Sequence, residues 1–313
     1  MSTNKQATLV GLSAVVLWSA IVGLIRGVSE SFGATGGAAL IYSVASLLLL
    51  FTVGPTRASQ LPRRYLLIGG ALFVSYELCL SLSLGYAHSA RQAIEVGMVN
   101  YLWPSFTLTA AILFNGQRSN ALIVPGFLLG IVGIGWVLGG EQGLDPASMR
   151  ANLRSNPLSY GLAFAGAVIW AAYCTVTART AAGKNAVTLF FALTAVALWL
   201  KFALHGDANP PMVVSPRSVL LLVLAAAAMG FGYAAWNLGI LRGNMTILAG
   251  ASYFIPVISA ALAALVLRTP LSQAFWQGAC MVCAGSILCW LATRIGSART
   301  PGPAQADRSA AAP

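Results

Sequence analysis

Asn100-Tyr101-Leu102-Trp103-Pro104 sits in the middle of an apolar run from Ala93 to Phe114. A run that long and that apolar reads as a membrane-spanning helix. Its central proline removes a backbone hydrogen bond and leaves the carbonyl of Asn100, four residues back, without its usual partner. In hydrocarbon that carbonyl needs a neighbouring helix, a water or a ligand. Tyr101 and Trp103 flank the break near mid-span, whereas Tyr and Trp in membrane helices usually collect at the two water interfaces. The same device returns at Ser252-Tyr253-Phe254-Ile255-Pro256, midway along the run Thr246 to Leu267. Two interrupted helices at corresponding places in two halves are the sequence signal of a transporter binding site.

Composition sets the class. Of the 313 residues, 58% are hydrophobic and 8% charged, against about 25% charged in soluble domains. Such a chain cannot cover a water-facing surface and is expected to be an all-α integral membrane protein. The net charge of +11 comes from Lys and Arg between apolar runs, as the positive-inside rule requires. No long basic stretch follows a phosphate backbone, so nucleic acid is not an expected partner. Cys79, Cys174, Cys280, Cys283 and Cys289 all fall inside apolar runs and read as small packing residues. No His/Cys/carboxylate cluster has metal spacing, and nothing implies a cofactor.

Ten spans are expected: Ala7–Gly27, Ala34–Gly54, Tyr65–Tyr86, Ala93–Phe114, Ala121–Gly139, Leu158–Thr180, Asn185–Leu204, Arg217–Leu241, Thr246–Leu267 and Gln273–Arg294. The pairs Trp18/Trp170, Tyr101/Tyr253, Pro104/Pro256, Gly126/Gly278 and Gly133/Gly285 share one offset, 152. A shared offset marks an internal repeat. It divides the chain into a first five-helix repeat (1–140), an inter-repeat loop (141–156), a second repeat (157–295) and a disordered cytoplasmic tail (296–313). Five is odd, so the second repeat enters the membrane from the opposite side, giving two inverted-topology repeats. With the N-terminus inside, 11 Lys and Arg lie inside and 7 outside, which places both termini in the cytoplasm. Ten helices can enclose a cavity alone, so a monomer is expected.

No nucleophile–base pair, glycine-rich phosphate loop or carboxylate pair falls in one site, which argues against an enzyme. The midplane supplies rings instead: Trp18, Tyr101, Trp103, Trp170, Tyr173 and Tyr253. An apolar ring can stack on them, and an ammonium can sit over their faces or against the carbonyls freed by Pro104 and Pro256. Asn100 and Asn237 can donate to a carboxylate. This inventory suits a zwitterion with a bulky apolar side chain, such as Phe, Tyr or Trp. Glu77 is the one acid deep in a span, and an intramembrane carboxylate is a functional candidate by default. Three roles stay open for it: binding a cargo ammonium, carrying a coupling proton, or hydrogen-bonding a neighbouring helix in its neutral form. Arg26 can snorkel to water or pair with Glu30. Glu95 belongs near an interface beside Arg91.

Ten helices in two halves, a mid-helix Trp at the same place in spans 1 and 6, and Tyr-x-x-Pro in spans 4 and 9 resemble the EamA branch of the drug/metabolite transporter superfamily. The resemblance covers about Leu9 to Thr293. Asn100-Tyr101-Leu102-Trp103-Pro104 looks like the corresponding stretch of its bacterial aromatic amino acid exporters. The resemblance implies a basket-like fold in the inner membrane, a central cavity built from spans 1, 3, 4, 6, 8 and 9, and export of aromatic and other apolar amino acids. A broad-specificity drug or amine exporter of the same superfamily is the alternative. The second half reads Ser252-Tyr253-Phe254-Ile255-Pro256 and lacks the Trp, so the two halves are not equivalent in the site.

Overall fold

A computed structural model of the chain describes residues 3–206 and 214–298, and among these residues there are helices and turns but no strand. Helix α1 spans Thr3–Phe32. It runs past its expected end because Arg26 pairs with Glu30 one turn on, Nε to Oε1 at 3.0 Å. Gly33, at φ 77°, stops it, since left-handed backbone is open to glycine without penalty. Helix α2 is Ala34–Thr52. A π-helical turn, Tyr65–Gly69, leads into α3, Gly70–Gly85. Helices α4 (Ala90–Asn100), α5 (Trp103–Asn115) and α6 (Ile123–Leu138) complete the first half.

The segment 141–156, expected as a loop, carries a helix of its own, α7 (Pro146–Ser155). Asp145 caps it by accepting hydrogen bonds from the Ala147 and Ser148 N–H groups, which fill two of the unpaired donors that open any helix. Those bonds hold the Asp145 carboxyl below its ordinary range. The second half comprises α8 (Pro157–Thr180), α9 (Val187–His205), α10 (Pro216–Arg242), α11 (Met245–Ser252), α12 (Ile255–Val266) and α13 (Gln273–Ala298). Residues 296–298, assigned above to the tail, end α13; the rest of that tail lies outside the described residues.

Eight helical segments are long and apolar enough to cross a membrane, with α4 and α5 forming one of them across their break. The 16-residue α6 and the 12-residue α12 are apolar but shorter. At about 1.5 Å per residue neither alone spans about 30 Å of hydrocarbon. Helix α12 is short because its run is interrupted at Tyr253-Phe254, leaving the eight-residue α11 before it.

Both interruptions use the same hydrogen bonds. At the first, the Leu102 N–H donates to Val99 O and the Phe106 N–H to Leu102 O; at the second, Phe254 N–H donates to Ala251 O and Ile258 N–H to Phe254 O. Val99, Leu102 and Phe106 map onto Ala251, Phe254 and Ile258 by the shared offset. The bond three residues back tightens the last turn before the proline, satisfying carbonyls that the missing donor leaves open.

Packing repeats as well. Helix α1 lies against α10 and α3 lies against α8; α1 also meets α12, and α5 meets α8. Helix α6 packs along α13 at backbone contact. A Cβ built on Gly126 would lie 2.8 Å from Cys289 N, and one on Gly133 would lie 2.8 Å from Gly278 O. On the other side, a Cβ on Gly285 would lie 2.6 Å from both Gly126 O and Gly130 N. Small residues at such seams let backbones approach where no water is present to drive association.

Gly285→Ala therefore forces α6 and α13 apart, and overpacking of this kind costs about 1–3 kcal/mol. The thermal unfolding midpoint in detergent should fall by several degrees. Gly161→Ala, where a Cβ meets nothing within 4 Å, should leave it unchanged or raise it. Equal midpoints for the two variants would contradict the close seam.

Candidate functional site

The two breaks face one another across a cavity of 290 Å³, whose wall includes Tyr101, Trp103 and Pro104 on one side and Ser252, Tyr253 and Ile255 on the other. Helices α1, α3, α8 and α10 contribute Trp18, Glu77, Trp170 and Trp236 to the same wall. The volume sits at the lower edge of the about 300–1,000 Å³ usual for small-molecule sites.

One end of the cavity is sealed. A Cβ on Gly97 of α4 would lie 2.9 Å from Val22 of α1. One turn further along α1, Arg26 Nη1 donates to Ala87 O at 2.5 Å and to Gly85 O at 3.4 Å. With its Nε on Glu30, the Arg26 guanidinium ties α1 to the end of α3 and does not face the cavity wall. Nearby, Glu95 accepts from Arg91 Nε at 3.2 Å and from the Tyr160 hydroxyl at 3.1 Å.

Glu77 is fully buried. The Tyr42 hydroxyl donates to its Oε2 at 2.6 Å, and the Tyr233 hydroxyl donates to its Oε1 at 2.7 Å. Ser81 Oγ in turn donates to the Tyr42 hydroxyl at 3.1 Å, so the Tyr42 proton is directed at the acid. Hydrogen bonds to a carboxylate from hydroxyl donors are short and strong in a low-dielectric interior. None of the salt bridges among the described residues involves Glu77.

The rings form one connected set. Tyr76 and Trp170 lie 4.5 Å apart, Trp18 is 5.1 Å from Tyr233 and 5.2 Å from Trp236, and Trp103 and Trp170 meet edge to face at 6.2 Å. These are the separations at which aromatic pairs attract.

Of the residues singled out from sequence, Trp18, Glu77, Asn100, Tyr101, Trp103, Trp170 and Tyr253 line the cavity, as does Pro104. Pro256 is buried directly behind Ile255. Tyr173 and Asn237 do not line it: the Tyr173 ring packs on Phe73 at 5.4 Å and on the far side of Trp170 at 5.2 Å. Asn100 has a second task, because its Nδ2 donates to Ala163 O on α8 at 3.2 Å.

Sequence reasoning passed over Tyr42, Tyr76, Tyr233 and Trp236. Met229, Tyr233 and Trp236 follow the i, i+4, i+7 spacing of one helix face, and all three line the cavity. That stripe was a usable signal, and Asn237 lies about 100° round the helix from its last member.

Residues 157–291 match the EamA-like transporter family. Over 292 residues the chain is 61% identical to the aromatic amino acid exporter YddG of Salmonella typhimurium, covering 93% of this chain and 99% of that protein. It is 60% identical over 294 residues to the aromatic amino acid exporter YddG of Escherichia coli, covering 94% and 100%. It is 28% identical over 277 residues to the protein of that name from Ancylobacter novellus, covering 83% and 88%. A solved crystal structure at 22% identity shares the fold, with a TM-score of 0.62 over 93% of this chain and 99% of that one.

Tyr42→Phe removes the donor to Glu77 Oε2 and the acceptor of Ser81, all fully buried. Leaving buried polar atoms unpaired costs about 1–3 kcal/mol. Its unfolding midpoint in detergent should drop further than that of Tyr233→Phe, whose position borders the cavity and where water can take the place of the lost hydroxyl. A Tyr42→Phe midpoint equal to wild type would refute the buried network.

Proposed function

The chain is a membrane transporter of the EamA-like transporter family, and we propose that its cargo is an aromatic amino acid, exported through the ring-walled cavity between the two helix breaks. The observation that carries this reading is the wall itself: four tryptophans and four tyrosines line one cavity that holds a single acid. A cargo ring stacks among them, each such pair adding about 0.5–1.5 kcal/mol beyond area burial. The proposal agrees with the relatives, which are named as exporters of this cargo class.

The cargo's carboxylate fits the breaks. Helices α5 and α12 begin at Trp103 and Ile255, both on the cavity wall, and helix N-termini carry partial positive charge. Asn100 retains one amide hydrogen for a carboxylate after its bond to Ala163.

Transport then proceeds by alternating access. We assign α1–α6 and α8–α13 to two five-span repeats of opposite insertion, counting α4 with α5 and α11 with α12 as single broken spans. The repeated hydrogen bonds at the breaks support this, as does the exchange of packing partners, in which α1 against α10 corresponds to α8 against α3. The seam between α6 and α13 fits the same symmetry: Gly126 meets Gly285 as Gly133 meets Gly278, and the offset carries one contact into the other. Two such halves can rock about a fixed midplane site, with Pro104 and Pro256 as the bends. The sealed end, where Gly97 meets Val22, is then one of the two gates. The inner membrane, cytoplasmic termini and a monomer complete the assignment, since one chain encloses the whole cavity wall.

Trp103→Ala and Trp170→Ala should each lower Phe and Tyr uptake into inside-out vesicles about tenfold, the change that about 1.4 kcal/mol of lost binding produces. Membrane abundance, measured by immunoblot, should stay at wild-type level. Normal uptake by both variants would sink the site as drawn.

A further inference from the structure

We propose that the same cavity also carries aromatic amines, meaning ring-bearing ammonium ions that have no carboxylate; this rests on the transport reading above and extends its cargo class. Charge complementarity is the ground. Glu77 is the one carboxylate among the residues lining the cavity, and no Lys, Arg or His lines it. Each Glu77 oxygen accepts one tyrosine hydroxyl, whereas a carboxylate offers about four acceptor positions. Capacity for an ammonium therefore remains on an acid that no cation of the protein pairs.

The rings continue the same preference. Tyr233 and Trp18 stand 5.1 Å apart beside the acid, and Tyr76 and Trp170 stand 4.5 Å apart. Their faces attract cations, most strongly where water is excluded. A cargo carboxylate meets only helix ends and neutral side chains, which carry partial charges. The ammonium is the part of the cargo that meets a full opposite charge. An aromatic amine keeps that pairing and leaves the occupied site neutral, while an amino acid zwitterion adds a second negative group with no cation to pair it. An aromatic acid lacking the amine sets two carboxylates in one cavity, which like-charge repulsion disfavours.

Proteoliposomes loaded with Phe and assayed for labelled-Phe exchange decide the point, with protein-free liposomes correcting for leakage. Unlabelled phenethylamine and tyramine should inhibit exchange at concentrations within about threefold of unlabelled Phe, and 3-phenylpropionate should not. Labelled tyramine should enter wild-type proteoliposomes above the protein-free background. Glu77→Gln should weaken inhibition by the amines at least about tenfold more than inhibition by Phe. Phe exchange that neither amine inhibits overturns this inference and leaves amino acid export intact. Tyramine entry without Phe exchange overturns the amino acid reading and supports this one. Competition in the wild-type protein separates these outcomes even where Glu77→Gln does not fold.

Discussion

In hydrocarbon a peptide group has no solvent to bond, so each one must find its partner inside the protein. Two prolines placed in mid-span put this constraint at the centre of the molecule. The chain answers with one tightened turn at each break, Val99 to Leu102 and Ala251 to Phe254, and with the start of a new helix immediately after. Broken backbone of this kind is tolerated at membrane depth only where protein buries it or it borders a cavity. Both breaks here border the same cavity. The position of the site follows from the prolines, and the surrounding helices supply its walls.

The breaks were legible because proline has one mechanical consequence wherever it stands in a helix, and because both copies share an offset. The single acid and most of the rings were legible because a polar or amphipathic residue deep in a span is conspicuous. Facing direction was harder to read. Trp170 and Cys174 line the cavity one turn apart while Tyr173, a single step earlier, turns toward Phe73. One residue is about 100° of rotation, and apolarity on every side of a membrane helix removes the contrast that marks a face in a soluble one. Tyr42 was invisible for another reason. Its partner lies 35 residues away on a neighbouring helix, and no local pattern records that pairing. Helix α7 escaped because it is polar, ten residues long and set among loop residues, although Asp145-Pro146 is a recognisable helix start.

The seams and the cavity use opposite residues for the same solvent problem. Between α6 and α13, and between α1 and α10, glycines bring backbones together: a Cβ on Gly11 would lie 2.9 Å from the Gly239 Cα. Between the breaks the chain places its largest side chains, whose rings reach each other across the space that the backbones leave. Glycine seams hold helices in fixed registers by van der Waals contact. Ring walls held by edge and tilted contacts can exchange one aromatic neighbour for another of similar shape. A cargo ring entering such a wall replaces contacts of its own kind, so occupancy costs the site little in lost packing.

Glu77 shows where stability yields to use. A buried acid without a cation is expensive, and an apolar residue of similar size in its place is often neutral or stabilising. Tyr42 has Ser81 beside it and does not require an acid for its own hydrogen bonding. Tyr233 borders a cavity, where water can serve its hydroxyl. Neither tyrosine therefore explains the carboxylate; each makes better sense as a device that steadies it. The two hydroxyls fix both oxygens and lower the cost of keeping charge at this depth. They also leave the acid unneutralised by any protein cation, which is the condition under which a positively charged cargo group gains most by entering. An Arg or Lys beside Glu77 would make a steadier fold and a poorer binding site.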